Sequence, residues 1–114
     1  MASILSIGRD TELLRLRSAI LRQAGYLVTE TSDPHVAVST FLKNAPDVVV
    51  LCHTLSSQQK TILIHDIHAF KPHTSILSLE AEHSDVNADA VISSMDGPKT
   101  MLAAVAGLVR RASV

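Results

Sequence analysis

Asp47 is followed by Val48, Val49, Val50 and Leu51, four apolar residues in succession. A strand with one wet face alternates apolar and polar positions. An unbroken apolar run needs cover on both faces, as in the interior of a parallel sheet with helices above and below. This segment is therefore the predicted central strand, and parallel neighbours require crossover helices from the rest of the chain.

Those helices and strands are readable on either side. Ser3 to Ile7 is a short apolar strand, after which Asp10 or Thr11 can cap a helix carrying Leu13, Leu16, Ile20 and Ala24 at helical spacing. Gly25 stands where a left-handed helix end is expected. Residues 26–31 hold β-branched and aromatic side chains, and Ser32-Asp33-Pro34 opens a second helix with Ala37, Val38, Phe41 and Leu42. Residues 58–70 read as a helix with Ile62, Leu63 and Ile67 inward, stopped by Lys71-Pro72 before a strand at 75–79. A short strand at 90–92 precedes a last helix, opened by Pro98, that buries Met101, Leu102, Val105, Leu108 and Val109. Arg110 and Arg111 suit its negative end. Right-handed crossovers put such helices on both sheet faces. The expected fold class is α/β, a flavodoxin-like, doubly wound, five-stranded parallel sheet in the order 2-1-3-4-5.

Composition narrows the function. With 114 residues the chain is expected to be one domain, residues 1–114, with no output domain. It is 46% hydrophobic and 18% charged, which excludes a disordered tail. Ten basic against eleven acidic residues give a net charge of −1, so no general attraction to nucleic acid or an anionic membrane is expected. The three aromatic residues, Tyr26, Phe41 and Phe70, form no stacking platform for single strands. The lone cysteine, Cys52, excludes an internal disulfide framework and suggests a reducing, cytoplasmic home. No apolar run approaches the roughly 20 residues of a membrane helix.

In a doubly wound sheet the working crevice lies beyond the carboxyl ends of the strands. The residues there are Gly8, Arg9 and Asp10, then Cys52 and His53, then Glu80 and Ala81, then Ser93, Ser94 and Met95. The segments ILSIGRD, APDVVVLCHTLS and ADAVISSMDGPKTMLAAV resemble the first, third and fifth strands of a bacterial response-regulator (CheY-like) receiver domain. The resemblance covers nearly the whole chain.

Receivers of this kind phosphorylate themselves on an aspartate after the third strand, using a divalent cation held by an acidic pair after the first. Here the resemblance places Cys52 at the phosphoacceptor position and Gly8 and Arg9 at the acidic pair, leaving Asp10 as the one nearby carboxylate. A thiol forms no acyl phosphate, and Mg²⁺ wants several oxygen ligands. Glu80 stands at the usual threonine or serine, Ser94 at the usual lysine. The pocket therefore reads as remodelled, with no metal, no cofactor and no enzymatic activity expected. Arg9 either fills the cation's space and pairs with Glu80 or Asp10, or faces solvent.

Only residues 81–87 separate Glu80 from Ala88 and Asp89, so the family's fourth helix is expected to be absent or one turn long. An uncovered sheet face would then invite self-association or a partner, unless a loop covers it. His65 and His68, at i and i+3, could chelate zinc with His53 or Cys52, although scattered surface histidines explain them more simply. Arg15, Arg17 and Arg22 read as a solvated helix face. A Cys52–His53 enzyme is disfavoured because adjacent strand residues point to opposite faces.

The expectation is a degenerate receiver, or pseudo-receiver, of two-component signal transduction. It would act through protein contacts, with a sensor kinase, another regulator or a second copy as a homodimer, and with neither nucleic acid nor membrane. The alternative is a small-molecule or anion-binding module using the crevice of Arg9, Cys52, His53 and Glu80.

Overall fold

The computed structural model describes residues 2–81 and 86–112. Its elements run β1 (Ser3–Ile7), α1 (Thr11–Gln23), β2 (Leu27–Thr31), α2 (Ala37–Asn44), β3 (Val48–Leu51), α3 (Ser57–Phe70), β4 (Ser75–Glu80), β5 (Ala90–Ser93) and α4 (Gly97–Ala112). All five strands are parallel in the order β2-β1-β3-β4-β5. The continuous apolar run is indeed central, with every residue of β3 fully buried.

Alternation along the strands divides the interior in two. Leu5, Ile7, Val49, Leu51 and Ile76 face α2 and α3, where Phe41, Leu63, Ile64 and Ile67 pack on them. Ile4, Val48, Val50, Leu77 and Leu79 face α1 and α4, meeting Leu14, Leu21, Met101, Val105 and Leu108. The register sets Ile7 beside Leu51, Leu51 beside Ser78, and Glu80 beside Ser93, so the strands deliver their carboxyl ends to one edge. Local chemistry fixes the helices that follow. Asp10 caps α1, its Oδ1 accepting from the Leu13 N–H at 3.1 Å, and Ser56 and Gln59 form a reciprocal capping box on α3. Gly25, at φ 100°, turns the chain after α1.

One helix is rotated from its sequence expectation, and a second departs from it at one expected position. In α1 the buried stripe is Leu14, Arg17, Ser18 and Leu21, while Leu16 is 58% exposed. Segment 13–21 carries leucine or isoleucine on both stripes, so periodicity alone did not choose between them. In α3, Ile62 is 52% exposed and Lys60 joins Leu63, Ile64 and Ile67 on the inward face. The second helix begins at Ala37, later than Pro34, because residues 34–36 form a turn in which Asp33 Oδ1 accepts from the His35 N–H at 2.9 Å.

Among the described residues no helix stands between β4 and β5; residues 82–85, within the short connection, lie outside them. The described part of that connection is tied down. Val86 is buried, Ala88 packs on the α2/α3 core, and Asp89 Oδ2 accepts from the Ile76 N–H at 2.7 Å. A loop thus covers Ile76 where a helix would have lain, leaving Val91 of β5 48% exposed. No helix among the described residues is long and apolar enough to cross a membrane.

Candidate functional site

The strand-end edge gathers most of the residues expected there, but in different partnerships. Gly8 sits against Cys52: a Cβ at position 8 would lie 2.9 Å from Cys52 Cβ and 3.1 Å from its Sγ. That approach leaves no room for any side chain. Arg9 is exposed, and its backbone N–H donates to Thr54 Oγ1 at 2.9 Å. Asp10 spends Oδ1 on the α1 cap.

Cys52 is 2% exposed and lies 3.9 Å from Ser6 Oγ. Burial pushes its thiol above the ordinary value, against the opposing pull of Arg17, Ser6 and Lys60. It is a neutral, inert thiol at physiological pH. His53 Nδ1 lies 3.1 Å from Arg17 Nη2. A guanidinium can only donate, so Nδ1 is the acceptor and His53 is neutral with its proton on Nε2. Burial, then the charges of Arg17 and Lys60, lower its pKa, which agrees with that assignment. The strand ends at Leu51, so strict alternation does not govern Cys52 and His53, and both come to Arg17.

Glu80 pairs with a residue the sequence reading passed over. Lys60, 1% exposed, places Nζ 3.2 Å from Glu80 Oε2 and donates to the Leu79 carbonyl at 2.6 Å. Ser78 Oγ donates to Glu80 Oε1 at 2.8 Å. Burial lowers the Lys60 pKa, and the Glu80 carboxylate pulls it back up. The expected pairing of Arg9 with Glu80 or Asp10 is not formed: Lys60–Glu80 is the ion pair among the described residues. Lys60 reaches Glu80 because α3 begins just beyond the strand ends and turns this position inward. A signal existed, since residues 60, 63, 64 and 67 follow i, i+3, i+4, i+7, placing a lysine on an apolar stripe and near the positive end of a helix.

Arg17 is the second such residue, 9% exposed and not on a solvated face. Its position with Leu14, Ser18 and Leu21 has the same i, i+3, i+4, i+7 spacing. Ser94 lies in the turn after β5 and donates its N–H to the Glu80 carbonyl at 2.8 Å. No cluster of three potential metal ligands occurs among the described residues, so the zinc arrangement is not assembled. His68 Nε2 instead lies 3.2 Å from the Thr74 carbonyl oxygen.

No family model and no curated protein matches this chain. Solved structures do. The chain is similar to a CheY-like response regulator receiver domain protein from Methanospirillum hungatei JF-1, at 18% identity and TM-score 0.89, covering 99% of this chain and 97% of that one. A receiver domain protein from Clostridium thermocellum matches at 19% identity and TM-score 0.86, covering 97% and 96%. Response regulator TrrA from Thermotoga maritima, in complex with Mg²⁺-BeF, matches at 20% identity and TM-score 0.84, covering 95% and 99%. The five-stranded sheet and the four helices among the described residues have the receiver fold of two-component response regulators.

Proposed function

We propose that this chain is a receiver-fold protein that has exchanged phosphoryl switching for a fixed strand-end pocket, and that it signals by protein contact. The observation carrying this reading is the Lys60 ammonium buried against Glu80 at 3.2 Å. It puts the Lys60–Glu80 ion pair at the carboxyl end of β4, next to the strand ends where the resemblance places the phosphorylation machinery.

The surrounding residues do not fit a divalent cation. Gly8 offers no side chain, Arg9 repels a cation, and one oxygen of Asp10 is engaged in capping. Mg²⁺ needs near-octahedral oxygen ligation that this edge does not supply. Cys52, neutral and buried, is no phosphoacceptor. On this reading the protein is not an enzyme. Its partner is a sensor kinase, another regulator or a second copy, engaged independently of phosphorylation.

The test is intact mass and light scattering with and without acetyl phosphate and Mg²⁺. Unchanged mass and unchanged assembly are expected. A stoichiometric gain of one phosphoryl group, with a shift in assembly, would overturn the proposal.

A further inference from the structure

Among the described residues, Arg17 is a buried cation without an anion. The side chain is 9% exposed, and among the described residues no carboxylate lies within ion-pair distance of it. Its Nη2 meets His53 Nδ1, a neutral acceptor, and its Nη1 is buried and has no hydrogen-bond partner. The neighbouring Cys52 is held as a thiol and contributes no charge. Guanidinium does not escape by losing its proton, so the cost of burying it stands unless something negative approaches.

The same arginine lines a cavity of about 220 Å³ between α1, the ends of β4 and β5, and the start of α4. The rest of the wall is largely apolar, including Leu13, Ile20, Leu79, Ile92 and Met101. Gly97 and Pro98, at the positive end of the 16-residue α4, close one side. The nearby Asp96 carboxylate is turned to the Ser93 N–H at 2.9 Å. An apolar chamber with one uncompensated cation matches a ligand that is apolar along its length and negative at one end. The space is large enough for a short organic acid.

We propose that this cavity binds a short-chain monocarboxylate, its carboxylate on the Arg17 guanidinium and its hydrocarbon against Leu13, Ile20, Ile92 and Met101. The site lies between α1 and α4, on the sheet face opposite α3 and Lys60. Because Arg17 also holds His53, the ligand's charge would reach the strand ends.

The experiment is a methyl-resolved NMR titration of the full chain with hexanoate, hexan-1-ol and hexylammonium. Hexanoate is expected to bind saturably and shift the methyl signals of Leu13, Ile20, Ile92 and Met101. Hexanol should bind at least tenfold more weakly, and hexylammonium should not bind. Arg17→Gln should weaken hexanoate at least tenfold. If that variant does not fold, Ile20→Trp, which fills the cavity and leaves Arg17 intact, is expected to abolish binding. Absence of saturable hexanoate binding, equal affinity for hexanol, shifts confined to other residues, or undiminished binding by Ile20→Trp would each overturn the proposal.

Discussion

Two cations are buried near the same sheet edge, one on each side of it, and their surroundings differ. Lys60, from the α3 side, has a carboxylate and a backbone carbonyl within reach of its ammonium. Arg17, from the α1 side, has a neutral imidazole and a thiol. Burying a charge is costly in either place, but among the described residues only Lys60 has a carboxylate to compensate it. The contrast separates a charge closed within the fold, holding α3 to the end of β4, from one whose counter-charge the proposed ligand would supply.

The largest effect should come from removing the compensation. Glu80→Ala leaves the Lys60 ammonium buried without its counter-charge and is expected to cost about 3 kcal/mol in urea denaturation. A loss below about 1 kcal/mol would mean that Lys60 is satisfied by its carbonyl alone, which would erase the difference between the two cations.

Next in size is the contact beneath them. Gly8→Ala forces a Cβ to within 2.9 Å of Cys52 Cβ. Such overpacking should cost about 1–3 kcal/mol by the same measurement. A neutral outcome would show that the edge is looser than the Gly8–Cys52 approach implies.

Arg17→Met sharpens the comparison from the other side. With no carboxylate among the described residues to strand, the apolar replacement should fall within about 1 kcal/mol of the parent or stabilise the fold. A loss comparable to that of Glu80→Ala would show that Arg17 is compensated after all.

The smallest effect is on pH dependence. His53 titrates below its ordinary value in the folded chain, so on acidification through the unfolded-state value the unfolded chain takes up the proton first. Stability contributed by keeping His53 neutral is present above that value and is lost as pH falls toward the folded pKa. Urea midpoints followed from about pH 7.5 to about pH 5.5 should drop less in His53→Asn than in the parent chain. Equal slopes would contradict the neutral, Arg17-bonded imidazole.

Much of the architecture was legible because it rests on local, repeated signals. The continuous valines of β3 and Gly25 after α1 each have one physical reading, and the fold follows them. The rotation of α1, and the outward Ile62 and inward Lys60 of α3, were not legible in the same way. Leu13, Leu14, Leu16, Ile20 and Leu21 offer two apolar stripes, and the choice depends on what α4 and the sheet place opposite. Gly8, Cys52, His53 and Glu80 were placed at the strand-end edge by counting from strand ends. Their partners were not, because Lys60 and Arg17 come from helices and their burial is a tertiary result. Pairing Glu80 with Arg9 followed from the adjacency of strand ends. The inward turn of α3 delivers a cation closer than Arg9 can.

The most direct measurement of the built-in closure is a double-mutant cycle on Lys60→Met and Glu80→Ala, read as folding free energy. The account predicts that the double variant loses about 2 kcal/mol less than the two single losses combined, because the two charges hold each other. Losses additive within about 0.5 kcal/mol would show that they do not, and the fixed pocket would have no basis.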